Sequence, residues 1–124
     1  MNLLTRRADT SSAAFSYNGI GKIKLKEGKF SEALQNHNKA LVLAKKFEDK
    51  LQEVRGLRGI ADVYFKTDNT ALAMQHYNKA RVVAEEMDDL KVELKDLYHE
   101  MALAYSKKQE LFRCLFIPIA FTPI

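Results

Sequence analysis

The chain repeats itself at an interval of 40 residues, and this repeat constrains the fold more than any other feature of the sequence. Residues 19–49 and 59–89 share 11 identities in 31 positions, and most other positions exchange residues of similar size and polarity. A third, weaker copy begins near residue 91 and breaks down after Lys108. Because one such unit cannot bury its own apolar face, the repeat predicts several units stacked in a row.

Each copy has the pattern of two helices joined by a short turn. Apolar and small residues recur at the three- and four-residue spacing of a helix face. Gly28 interrupts the pattern, as glycine does just past a helix end. The prolines, Pro118 and Pro123, lie in the last seven residues, so the preceding chain can form uninterrupted helices. The sequence predicts an all-α fold with helices near residues 10–27, 30–48, 50–67, 70–87 and 91–108.

Small residues recur where neighbouring helices must approach one another. They are Gly21, Ala33, Ala40, Ala61, Ala73 and Ala80. Helix axes can approach to about 8 Å only when the contact residues are small. Large residues are expected to fill the spaces beside them, at Tyr17, Phe30, Tyr64 and Tyr77. His37 occupies the position of Tyr77 in the first copy, which favours a packing role over metal binding.

These positions resemble the framework of the tetratricopeptide repeat, in which an apolar–small pair and an aromatic precede a glycine turn, and aromatics alternate with alanines afterwards. In the first copy the framework falls on Tyr17, Ile20, Gly21, Lys24, Gly28, Phe30, Ala33, His37 and Ala40. In the second it falls on Leu57, Ile60, Ala61, Tyr64, Asp68, Thr70, Ala73, Tyr77 and Ala80. The third copy begins with Met101, Ala102 and Tyr105. The departures are Lys24 in place of an aromatic, and Asp68 and Thr70 in the turn.

The resemblance implies a TPR-like α–α superhelix of about 2.5 stacked helix-turn-helix repeats over residues 1–110. The units would span about residues 13–49, 53–89 and 91–110. The 40-residue period, longer than the usual 34, resembles a long-repeat branch that includes bacterial sensor kinases, Rap-type quorum regulators and spindle-orientation adaptors. The implied function is a protein–protein interaction scaffold without enzymatic activity. The alternative is a sensory or dimerising segment of a bacterial signalling protein, such as a sensor kinase or regulator.

In this family the first helix of each unit lines a concave groove, and its exposed residues contact the partner. The resemblance assigns this role to Asn18, Lys22, Leu25, Lys26, Arg55, Arg58, Asp62, Phe65, Lys66 and His99. Because most of these residues are basic or apolar, we expect an extended or helical peptide with acidic side chains as the partner. An equal alternative is that they are ordinary solubilising residues of the helix surface.

Other kinds of site find little support in the sequence. The net charge is +4, but basic and acidic residues alternate along the chain, which favours solvated helix faces over a nucleic-acid interface. Cys114 is the only cysteine, so an internal disulfide is excluded. No phosphate-binding glycine loop, helical metal-binding histidine pair or nucleophile elbow occurs, so we expect no cofactor, metal or catalytic residue. Without a signal peptide or an apolar membrane span, the chain is expected in the cytoplasm.

Residues 111–124 form an apolar tail that lacks the small-residue framework, and ten of these 14 residues are apolar. One interpretation is an altered gene end or the stub of a membrane segment. A second is that the tail covers the open side of the third unit, since terminal repeats need a cap. A third is that it docks on another copy of the chain and makes a homodimer, because exposed apolar strips seldom stay free. Capping or dimerisation is favoured.

Overall fold

The computed structural model describes residues 3–116, with side chains from residue 12 to residue 109 except residue 88. It contains α1 (Leu3–Lys26), α2 (Phe30–Lys46), α3 (Lys50–Lys66), α4 (Thr70–Glu85) and α5 (Lys91–Phe116), with a short 3₁₀ turn (Asp88–Leu90) before α5. The predicted all-α fold is confirmed, and the described residues include no strand. The inner helix boundaries match the prediction closely. α1 begins earlier than predicted, and α5 continues beyond the predicted end near residue 108.

The predicted apolar tail therefore overlaps a helix. Residues 111–116 belong to α5, whereas residues 117–124 lie outside the described residues. The proposed roles of the tail as a cap or dimer contact stay predictions. Val92, Tyr98 and Tyr105 of α5 are exposed. Within residues 3–116, none of the helices combines the length and apolar character needed to cross a membrane.

Three successive helix ends share one turn geometry. Gly28, Glu48 and Asp68 have positive φ angles of 79°, 56° and 66°. After each of them, the next residue donates its backbone N–H to the carbonyl five residues earlier, at 2.8 Å in all three turns. This is the Schellman ending of a helix. Gly28 adopts a positive φ angle without strain, because it has no Cβ atom. At Glu48 and Asp68 the same backbone conformation costs about 1 to 2 kcal/mol. Asp68 therefore has the same backbone conformation as Gly28, the residue at the equivalent position of the first copy.

The helices pack in chain order, each against the next, and α1 and α5 also contact α3. The first helices of the units, α1, α3 and α5, therefore lie side by side, with α2 and α4 behind them. The alanines predicted at close approaches are fully buried: Ala33, Ala40, Ala61, Ala73 and Ala80. Their burial confirms that small residues bring the helices together.

The ring of His37 on α2 packs against a glycine of α1 and a glycine of α3. Its side chain is completely buried, which confirms the predicted packing role. A Cβ atom on Gly21 of α1 would lie 2.6 Å from Nε2 of His37, and one on Gly59 of α3 would lie 2.2 Å from Cε1. Because real Cβ atoms do not come this close to other heavy atoms, glycine at both positions leaves room for the imidazole ring.

Candidate functional site

A cleft runs across the face formed by α1, α3 and α5. Its volume is about 640 Å³, within the range of roughly 300–1000 Å³ typical of ligand pockets. All five helices contribute to its lining, which consists of Leu25, Lys26, Gly28, Phe30, Asp62, Phe65, Lys66, Tyr77, Glu100 and Leu103. Phe30, which was expected to fill a packing space, lines the cleft and is partly exposed. The cleft combines apolar walls with a few charged groups.

Half of the residues predicted to bind a partner line this cleft: Leu25, Lys26, Asp62, Phe65 and Lys66. The other half do not. Lys22 and His99 are exposed outside the lining. Among the described residues, no carboxylate lies within ion-pair distance of Lys22, Lys26 or Lys66. The described residues also contain no group of three or more His, Cys, Asp or Glu side chains that could hold a metal ion.

The prediction that Asn18 is an exposed groove residue is wrong. Its side chain is only 4% exposed, and its Nδ2 donates to the backbone oxygen (3.3 Å) and to Oε1 (3.0 Å) of Gln52. Its Oδ1 lies 2.9 Å from Nδ1 of His37. Since the amide donates to Gln52, Oδ1 accepts a hydrogen bond from His37 Nδ1–H. Asn18 therefore ties α1 to α2 and α3 and is not available to a partner.

This hydrogen bond leaves Nε2 of His37 unprotonated, buried and without a hydrogen-bond partner among the described residues. Burial and, to a lesser degree, the positive charge of Lys22 lower the pKa of His37 to about 4. A proton on Nε2 would be buried with neither an acceptor nor a counter-ion from the described part of the chain, so the folded state keeps this ring neutral at physiological pH.

Arg55 and Arg58 form ion pairs within the chain, and their predicted role in binding a partner stays a prediction. Arg58 donates from Nη2 to Oε1 (2.8 Å) and from Nε to Oε2 (3.0 Å) of Glu100. It also lies 3.9 Å from Glu93 and 3.8 Å from Asp96, while Arg55 lies 3.6 Å from Glu93. The two guanidinium groups therefore hold α3 against α5. Sequence reasoning missed Glu100, because no local pattern distinguishes it from other charges on α5.

The carboxyl groups of Asp62 and Glu100 both line the cleft and are less exposed than Lys26 and Lys66, so they define its floor. The hydroxyl of Tyr77 donates a hydrogen bond to Oδ1 of Asp62. Burial, and then the charge of Glu100, raise the pKa of Asp62 well above its ordinary value of 3.8, although Tyr77 and Arg58 act in the opposite direction. Burial and the charge of Asp62 likewise raise the pKa of Tyr77.

Asp62→Asn is expected to stabilise the protein by about 1 to 2 kcal/mol at pH 8, because it removes a partly buried charge but keeps an acceptor for Tyr77. The pKa of Asp62 is higher in the folded state than in the unfolded state. Its ionisation therefore costs stability as pH rises above 3.8, so the gain should disappear near pH 4. Urea unfolding of wild type and Asp62→Asn at pH 8 and at pH 4 measures this difference in stability. The control Asp89→Asn, at an exposed position, should change stability by less than about 0.5 kcal/mol. If Asp62→Asn stabilised the protein as much at pH 4 as at pH 8, this explanation would be contradicted.

The comparisons with known proteins agree with this architecture. A tetratricopeptide repeat family model matches residues 12–86, which is more than half of the chain and includes α2, α3, α4 and most of α1. No curated protein and no solved structure matches the chain significantly. Assignment to a long-repeat branch stays a prediction. Repeats of this family are commonly protein–protein interaction modules, and the family is typically non-enzymatic. The chain belongs to the tetratricopeptide repeat family.

Proposed function

We propose that this protein is an interaction scaffold that holds a peptide or helix of a partner protein in the cleft across α1, α3 and α5. The observation that carries the proposal is the cleft itself, a concave surface with Leu25, Phe65 and Leu103 in its walls. Peptides commonly bind by inserting a few apolar side chains into such a groove while polar groups at its edge fix the orientation. The function of the family is consistent with this role.

The charges around the cleft limit the places where acidic side chains of a partner could bind. Arg55 and Arg58 are engaged by carboxylates of α5, so they contribute little attraction to an acidic peptide. Lys26 and Lys66 line the cleft and have no such partners among the side chains that the structure describes. We therefore propose acidic contacts only at the rim, at these two lysines, with apolar contacts in the cleft walls.

Dodecapeptides selected by display on the full chain test the proposal. Leu103→Ala should weaken their binding about tenfold, since an apolar contact at the centre of an interface is often worth more than 1 kcal/mol. Leu103 is 51% exposed, so its truncation should leave the fold intact. Val82→Ala is the matched control, because Val82 is 48% exposed and lies outside the cleft lining.

Equal affinity of the selected peptides for wild type and Leu103→Ala would count against the cleft as the binding site. The double variant Lys26→Gln, Lys66→Gln examines the rim with the same peptides. This double variant should weaken the binding of peptides with acidic residues and leave the binding of uncharged peptides unchanged.

A further inference from the structure

The floor of the cleft has more negative than positive charge. Asp62 and Glu100 both line it. The nearby guanidinium of Arg58 is bound through two nitrogens to Glu100 and is shared with two other carboxylates of α5. Among the described residues, Asp62 forms no ion pair, and the hydroxyl of Tyr77 donates the hydrogen bond that it accepts. One carboxyl group of the pair thus has no counter-ion of its own.

Two neighbouring carboxyl groups repel each other when both are ionised, and partial burial strengthens the repulsion because water screens it less. Lys26 and Lys66 line the same cleft, but neither forms an ion pair with Asp62 or Glu100. A cation placed between the two carboxyl groups would remove the repulsion and supply the missing counter-ion.

The cleft that these carboxyl groups line suits a long cationic side chain. The cleft volume is about 640 Å³, and Phe30, Phe65 and Leu103 contribute apolar walls. Lysine and arginine have an apolar stem that can lie along such walls while the charged end reaches a polar group. Phe65 already binds a cation of this chain, because Nζ of Lys107 lies 4.7 Å from its ring centroid and 3.1 Å from its backbone oxygen.

We propose that the cleft selects partner peptides that insert a lysine or arginine side chain between Asp62 and Glu100. The inference rests on the proposed function, because it assumes that a peptide occupies the cleft. It also assigns opposite charges to two parts of the partner, with a basic residue at the floor and acidic residues at the rim. Such charge complementarity contributes to the choice of partner more than to affinity alone.

Pooled fluorescent dodecapeptides test the inference with the full chain. The pools share the same mixture of Ala, Leu, Ser and Gln at all positions except a central one, which is Arg, Lys, Gln or Glu. Fluorescence anisotropy should show the Arg and Lys pools binding about tenfold or more tightly than the Gln and Glu pools. In the double variant Asp62→Asn, Glu100→Gln this preference should fall to less than about twofold.

Two further variants separate the effect of the carboxyl groups at the floor from effects of other charges and of unfolding. Asp96→Asn removes a carboxylate that pairs with Arg58 but does not line the cleft, so the preference for basic pools should persist. Because Glu100→Gln weakens the link between α3 and α5, Asp62→Asn alone is also measured. It should reduce the preference at least about threefold even if the double variant proves unfolded by circular dichroism.

Equal binding of the Arg, Lys and Gln pools, all weakened by Leu103→Ala, would overturn the cation site while leaving the proposed function in place. A preference for the Glu pool would overturn it as well. If no pool binds, both the proposed function and the inference fail. Retention of the basic preference in Asp62→Asn would place the cation elsewhere and contradict the inference.

Discussion

Gly59→Ala is expected to destabilise the protein by about 2 to 3 kcal/mol. The added Cβ would lie 2.2 Å from Cε1 and 2.3 Å from Nδ1 of His37. The ring cannot retreat, because Gly21 approaches it closely as well and its Nδ1 is held by Asn18. Alanine is favoured over glycine within a helix by about 1 kcal/mol, so the steric conflict must exceed this gain. The midpoint of thermal unfolding should fall by roughly 6 to 12 °C.

Gly19→Ala is the matched control, since no atom of the described residues lies within 4 Å of a Cβ at this exposed position of α1. It should stabilise the protein by about 0.5 to 1 kcal/mol. Urea unfolding followed by circular dichroism measures both variants. In the double variant His37→Ala, Gly59→Ala the two changes should couple by at least about 1 kcal/mol, because the smaller side chain makes room for the methyl group. Equal stability of Gly59→Ala and Gly19→Ala would mean that His37 does not lie between the repeats.

Acidification from pH 7.5 to pH 4.5 should cost about 2 to 3 kcal/mol of stability through His37 alone. In the unfolded chain this histidine takes up a proton near its ordinary pKa of 6.5, whereas the folded state keeps it neutral until about pH 4. The folded-state pKa is therefore depressed. The stability present above pH 6.5 is lost as the pH falls towards the folded-state value, because only the unfolded state gains the proton.

Asp62 titrates in the opposite direction, since its pKa is raised by folding. The experiment therefore uses the Asp62→Asn background, with and without His37→Gln, which keeps a donor for Asn18. The loss of unfolding free energy between the two pH values should be about 2 to 3 kcal/mol larger when His37 is present than in the His37→Gln variant. Equal losses would show that the folded protein accommodates the protonated ring.

Most of the architecture was predictable because its causes are local or periodic. The 40-residue repeat predicted the helix pairs, and the alanines at equivalent positions, such as Ala33 and Ala73, are buried as expected. The turn after the first helix was predicted from Gly28. Its counterpart at Asp68 has the same backbone conformation, although the residue differs. The position of His37 in the framework likewise predicted its burial, because an equivalent position in each unit faces the neighbouring helices.

The candidate site was predicted only in part. The family framework places Leu25 and Phe65 on the groove side of the first helices, and both line the cleft. It also placed Asn18 there, but a short amide at that point reaches Gln52 of the next unit and becomes buried. Equivalent positions in a repeat share a backbone location, but the neighbours of each side chain differ from unit to unit.

The sequence by itself determined the helix pairs, their order and the small residues that bring them together, because these features depend on spacing along one chain. Only the tertiary structure decided which charged side chains have partners within the chain. Arg58 meets Glu100 across 42 positions of sequence, and Asp62 meets Tyr77 and Glu100 from two other helices. Whether a charged group attracts a partner depends on its nearest counter-ion and on its burial, and both are set by the packing of α3 against α4 and α5.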